Sequence, residues 1–309
     1  MASPAFRASG RIAAWAVALC VAGLFGCGPK NHPQPTTQSA KPPGQAPLAG
    51  DLLKRHNDQV AALKSLSATG VVELRWTDES GGHFEQGEMD LWLVMPWQLA
   101  LRIHKLGEDF LWLGASEQNF WLFDLRNRDQ AVLHVGSHQQ GETDESAPLK
   151  VKPLVLLDLC AMTQLSLPEG APDAAALFDN AQNAWVVPAT GRGGPVRVFF
   201  DARSSLPIRI EAVGGDGQTA LFSRIAPARF APVEIPGVSA GSYPRIPTLI
   251  DLLDPQSKDE VKIAIDEQSL SYRDQQQPPN PRVFDLELLI KRFQPARVEG
   301  ELPASTARR

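Results

Sequence analysis

The stretch GEMDLWLVMPWQLALRIHK, residues 87–105, decides the fold. In it Met89, Leu91, Leu93 and Met95 alternate with Asp90, Trp92 and Val94. After Pro96, the residues Trp97, Leu99, Leu101 and Ile103 alternate with Gln98, Arg102 and His104. A period of two sends successive side chains to opposite faces of a strand. The second of these strands therefore has one dry face and one wet face. A connection as short as the one at Pro96 requires antiparallel neighbours.

The same grammar continues outward. Residues 71–77, 109–114, 119–125 and 131–135 read as further strands, separated by the polar breaks 78–82, 106–108, 115–118 and 126–129. In 119–125, Trp121, Phe123 and Leu125 share one face while Phe120 and Leu122 share the other, and 109–114 is also apolar on both faces. The result is a meander whose apolar face needs a cover. A helix is available just upstream: Asp51 can cap it, and Leu52, Leu53, His56, Val60 and Leu63 follow at helical spacing, with an end at 64–67. Residues 152–162 form a second helical candidate with Cys160 among its apolar residues, and 174–178 a third, short turn. Strands are then expected at 184–188, 196–201, 207–213, 218–224, 261–266 and 284–290. The six prolines of 226–255 make that stretch an irregular crossing around a short apolar segment at 248–253, and 274–282 reads as a loop. Helix, meander, helix, meander without an internal linker predicts one α+β domain over residues 48–293: a long curved antiparallel sheet with helices on its concave face. Residues 294–309 are expected to be a disordered tail.

The N-terminus is of another kind. Arg7 and Arg11 precede an apolar run, residues 12–25, that suits a secretory signal and is short for a membrane span. It ends in Leu24-Phe25-Gly26-Cys27, which resembles a bacterial lipobox, with Phe25 an atypical residue before the small one. This reading makes 1–26 a lipoprotein signal peptide and Cys27 the lipidated residue. Removing Arg7 and Arg11 takes the net charge from −5 to −7. Two or three acyl chains anchor a protein firmly, where one holds it only marginally. Gly28 rather than Asp follows the cysteine, which by resemblance to enterobacterial sorting favours the outer membrane, facing the periplasm. Residues 28–47 contain six prolines and no large apolar residue, so 27–47 is the lipidated cysteine plus an extended tether.

Composition narrows the function classes. The chain has 309 residues, with 30 Lys+Arg against 35 Asp+Glu, so it offers no basic field for nucleic acid. Three cysteines cannot build a disulfide scaffold or a four-cysteine zinc site. Gly237-Val238-Ser239-Ala240-Gly241 matches a nucleophile elbow by letter, but prolines flank it and no histidine follows His138. Gly191-Arg192-Gly193-Gly194 lacks the Lys-Ser/Thr of a phosphate loop and reads as a turn. His134 and His138 fall at a strand end and in a loop, Glu142, Asp144 and Glu145 lack calcium-loop spacing, and Cys160 reads as packing. No enzyme, metal or cofactor is expected.

The pattern resembles the Lol-type lipoprotein carrier and receptor superfamily. The resemblance is carried by LKSLSATG at 63–70, GEM at 87–89, PWQLALR at 96–102, NFWLFD at 119–124, and Phe200-Asp201 through LPIRI at 206–210. It spans about 240 residues and rests on the order of loose motifs. It implies an unclosed β-barrel with a helical lid, binding acyl chains between sheet and helices. No residue matches the carrier's lid-closing arginine, and Met95-Pro96-Trp97 is the candidate for the receptor's protruding apolar loop. The lining residues expected on this reading are Trp97, Leu99, Leu101, Leu111, Leu113, Trp121 and Phe123. The partner would be a lipid or a lipid-modified protein. The alternative is an anchored assembly factor that docks a protein without lipid cargo.

Overall fold

In the computed structural model, Leu52, Leu53, His56 and Val60 form the buried stripe of α1 (Ala49–Val60). The structure describes residues 44–78, 81–138, 152–272 and 280–302. All of them belong to one compact unit, Ser39–Arg309. The signal segment, Cys27 and the tether as far as residue 43 lie outside the described residues. Leu48 precedes α1 without a side-chain cap. Asp51 sits inside the first turn, and the cap comes from elsewhere: Asp173 Oδ1 accepts from the Gly50 N–H at 2.8 Å. Each buried aliphatic of the stripe is worth about 1.5–3 kcal/mol, so packing, more than local signals, holds α1 in place.

The first meander comprises β1 (Ser65–Asp78), β2 (Gly81–Val94), β3 (Gln98–Lys105), β4 (Glu108–Ala115), β5 (Asn119–Asp124) and β6 (Val132–Ser137). Helix α2 (Pro153–Leu159) follows, opened by a proline at its first position, where a missing N–H costs nothing. The second meander comprises β7 (Leu177–Asp179), β8 (Ala184–Thr190), β9 (Pro195–Asp201), β10 (Pro207–Val213) and β11 (Thr219–Ile225). A small separate ribbon follows, β12 (Phe230–Pro232) with β13 (Arg245–Pro247). The chain then returns to the main sheet as β14 (Leu249–Leu253) and β15 (Glu260–Ile265), and ends in α3 (Leu286–Phe293) and β16 (Arg297–Glu299).

The two meanders form one curved sheet of fourteen strands, ordered β16-β6-β5-β4-β3-β2-β1-β15-β14-β11-β10-β9-β8-β7. Antiparallel pairing of β1 with β15 joins the halves, Gly70 opposite Ile265. A side chain at Gly70 would place its Cβ 2.2 Å from the Ala264 carbonyl oxygen, so this seam demands glycine. The terminal strands β7 and β16 do not meet, and the sheet stays open.

The inner face carries the main core. Leu91 and Leu93, Leu99, Leu101 and Ile103, and Leu111 and Leu113 pack there against α1, α2 and the β12–β13 ribbon. The alternation in β5 has the expected consequence: Leu122 joins this core, whereas Trp121 and Phe123 join a second, smaller one on the outer face.

Several expectations need correction. Residues 284–290 are not a strand. Asp285 Oδ1 accepts from the Leu288 N–H, and Leu286, Leu289, Ile290 and Phe293 then repeat at helical spacing, giving α3. This third helix covers the outer-face aromatics Trp112, Trp121 and Phe123, while α1 and α2 cover the inner face. Residues 177–179 extend as β7 rather than continuing a helical turn, because β8 offers them a ladder. The tail beyond 293 is ordered as far as it is described: β16 pairs in parallel with β6, Val298 opposite Leu133.

Candidate functional site

Helix α2 stands over the inner face at the place where the two meanders join. Beneath it lies a cavity of about 290 Å³. Its floor is Val72 of β1, Leu101 and Ile103 of β3, Leu113 of β4, Val196 of β9, Leu252 of β14 and Ile263 of β15, all buried. Val155 and Leu156 of α2 form the roof. The rim is half-buried or exposed: Ala212 and Val213 of β10, Ala220 and Leu221 of β11, Val261 of β15, and Pro195 beside the β8–β9 turn. An apolar floor below a wetter rim is the shape of a trough.

Two glycines hold the roof close. A Cβ at Gly193 would lie 2.4 Å from Val155 Cγ2 and 2.7 Å from its Cα, and one at Gly191 would lie 2.3 Å from the Asp158 carboxylate. The Gly191-Arg192-Gly193-Gly194 turn thus lets the β8–β9 hairpin press against α2. The Gly193 N–H donates to Asp158 Oδ2 at 2.7 Å, and Thr163 Oγ1 donates to the other carboxylate oxygen at 2.5 Å. Asp158 is fully buried on the cavity wall, and burial pushes its carboxyl above the ordinary range against the pull of these donors. Arg192, from the same turn, donates to the Pro96 carbonyl and lies 5.5 Å over the Trp97 ring. The end of α2 is fastened further: His56 Nε2 bonds the Thr163 carbonyl at 2.8 Å, and Asn57 exchanges two hydrogen bonds with Leu165. Charged groups at the cavity are Lys152 and Asp158 on the helix side, Asp254 and Asp259 on the sheet side. Burial lowers the Lys152 ammonium below its ordinary range.

Of the residues expected to line a site, the structure places Leu101 and Leu113 on the cavity floor. Leu99 and Leu111 share that core but are packed solid within it. Trp97 is half-buried against the same core under Arg192. Trp121 and Phe123 point the other way, into the outer-face core with α3. The strand reading of 119–125 already separates those two from Leu122, so this distinction was available. Val72, Ile103 and the contributions of β9, β10, β11, β14 and β15 are not among the expected lining residues; their alternation is readable, but the β1–β15 seam that brings the later strands to Leu101 is not.

The other motifs resolve locally. Ser239 precedes a 3-10 turn, Ala240–Ser242, and its hydroxyl is 3.1 Å from that of Ser242, with no strand leading into it. His134 pairs with Glu299 of β16 at 2.8 Å, and His138 Nε2 bonds the Ser116 carbonyl at 2.9 Å. Cys160 is buried, its thiol pushed up to about 12, which leaves it unreactive at neutral pH. One apolar residue stands out at the surface: Leu106, at the β3–β4 turn with φ +53°, is 96% exposed. Among the described residues no helix is long and apolar enough to cross a membrane.

No protein-family model matches the chain, and no curated protein matches it in sequence. In three dimensions it is similar to a DUF1329 family protein from Desulfovibrio piger: TM-score 0.50, 11% identity, 78% of this chain and 97% of that one. The chain shares that fold. Two further solved structures align with a TM-score of 0.44. One is a putative outer membrane lipoprotein-sorting protein domain from Vibrio parahaemolyticus, at 9% identity over 75% of this chain and 94% of that one. The other is a LolA superfamily protein from Nitrosomonas europaea, at 15% identity over 78% and 98%. The assignment of the fold rests on the open sheet itself and on the DUF1329 structure.

Proposed function

We propose that the chain is a lipid-anchored, non-enzymatic protein of the cell envelope that holds an acyl chain, of a lipid or of a lipid-modified protein, in the trough between α2 and the sheet. The observation that carries this reading is the 290 Å³ cavity with its apolar floor. An apolar cavity of about 150 Å³ already takes up benzene, so this one has room for more. Each methylene buried there gains about 0.8 kcal/mol, and association takes back several kcal/mol of the total, which suits reversible capture.

The lipobox ending at Cys27 supplies the anchor and the tether supplies reach. Leu106, exposed at the β3–β4 turn, offers an apolar contact to a membrane or partner besides the candidate loop Met95-Pro96-Trp97. The test is a fluorescent acyl probe titrated into the full chain carrying Cys27→Ala. Saturable binding at one site per chain is expected. A flat titration with the fold intact overturns the reading and favours docking of a protein partner without lipid cargo. The same substitution should release the protein from the membrane fraction; unchanged fractionation would refute the anchor.

A further inference from the structure

Helix α2 roofs the trough, yet it does not have the build of a lid. A helix that opens and closes over a site keeps one wet face, whereas one that is apolar all round belongs to the interior. Of its seven residues, Pro153, Leu154, Leu156, Leu157, Asp158 and Leu159 are buried, and Val155 is half-buried against Gly193. Its end is also fastened. Asp158 accepts from the backbone N–H groups of Arg192 and Gly193 in the β8–β9 turn and from the Thr163 hydroxyl. From α1, His56 holds the Thr163 carbonyl and Asn57 holds both backbone groups of Leu165. Lifting α2 would strip donors from a fully buried carboxylate and bring six buried residues into water.

The wall on the β10–β11 side is low. Its margin is made of Ala212 and Ala220, with the turn Gly214-Gly215-Asp216-Gly217 just beyond. Ala220 is exposed, and Val213 and Leu221 beside it are half-buried. The β10–β11 ladder shifts register between Ala212 and Val213, an irregularity of the kind found at barrel rims and beside binding sites. From this margin apolar side chains continue down to the buried floor at Val196, Leu252 and Ile263.

We infer that α2 is a fixed roof and that the acyl chain enters and leaves end-on, across the low margin at Ala212 and Ala220, with its head group left outside. This inference rests on the acyl-binding reading above. A site entered in this way selects for the chain and is indifferent to the bulk of what the chain is attached to, so a lipid-modified polypeptide fits it as well as a free amphiphile.

The test is stopped-flow binding of dansylaminoundecanoate to the full chain carrying Cys27→Ala. Ala220→Trp, at the exposed margin, should slow association and dissociation alike by about tenfold with Kd little changed, because an obstructed mouth raises the barrier in both directions. Arg192→Gln cuts the hold on the Pro96 carbonyl and the Trp97 ring and so loosens the turn that clasps α2. It should leave both rates within about twofold of the parent. Arg192→Lys, which keeps a donor for the Pro96 carbonyl, takes its place if that variant unfolds. A decanoylated Gly/Ser peptide should displace the probe as well as decanoylglycine does. Faster exchange in the Arg192 variant, unaltered rates in Ala220→Trp, or poorer displacement by the peptide each overturns the inference and leaves acyl binding standing. Absence of saturable binding in the parent protein overturns both.

Discussion

Gly193 shows how much can depend on a missing methyl group. Its hydrogen in place of a side chain lets the β8–β9 turn touch the backbone of α2 and donate to Asp158. Gly193→Val should force the two apart, strip one donor from a fully buried carboxylate and widen the trough. A loss of about 2–3 kcal/mol is expected in urea unfolding, with weaker acyl-probe binding. His56 sets a pH dependence. It is buried, and burial lowers its pKa below 6.5 while the bond to the Thr163 carbonyl opposes that shift. A folded-state pKa below the unfolded one means that its contribution is complete above about pH 6.5 and is lost as the pH falls through the lower folded value. Stability should therefore decline between pH 7 and pH 5. His56→Gln should flatten that decline; an identical pH profile in the variant would show that another group governs it.

At the scale of elements, α1 and α3 make a contrast. Helix α1 is legible from its stripe but not from its start, since its cap is Asp173, more than a hundred residues away in sequence. Asp173→Ala should cost about 1 kcal/mol, read as a shift in the urea midpoint with an unchanged slope. Helix α3 is misread for the opposite reason. Phe284, Leu286, Leu288 and Ile290 alternate well enough to pass for a strand, and the capping Asp285 lies hidden inside that alternation. What decides between the two is a tertiary fact: Trp112, Trp121 and Phe123 on the outer face need a cover, and Leu286, Leu289 and Phe293 provide it. A chain ending at residue 280 should expose those rings. Red-shifted tryptophan emission and dye binding are expected, and unchanged emission would mean that α3 is not their cover.

On the scale of the whole molecule, the open sheet is readable where strands alternate and are closely followed by their neighbours, as in β1–β6 and β8–β11. The trough was only half readable. Val72, Leu101, Ile103 and Leu113 come from patterns within one meander, but the rest of the floor and rim is contributed from β9 to β15 across the β1–β15 seam, a pairing between residues nearly two hundred apart. Nothing in a local period specifies that partner. The cavity can be tested as a property of the molecule by filling it. Ala212→Phe, from the rim inward, should lower acyl-probe affinity about tenfold or more while holding or raising stability, since it adds apolar contacts where there is void. Undiminished probe affinity in a folded variant would place the ligand elsewhere.

A sheet that never closes has two borders, and borders of this kind invite other chains to add themselves rung by rung. Here the outermost strands, β7 and β16, are three residues each. A neighbour arriving at either finds too short a ladder to grip. Many copies could stand side by side at high density without zipping into fibres, and lengthening either border by a few β-branched residues is the change most apt to turn this protein into a polymer.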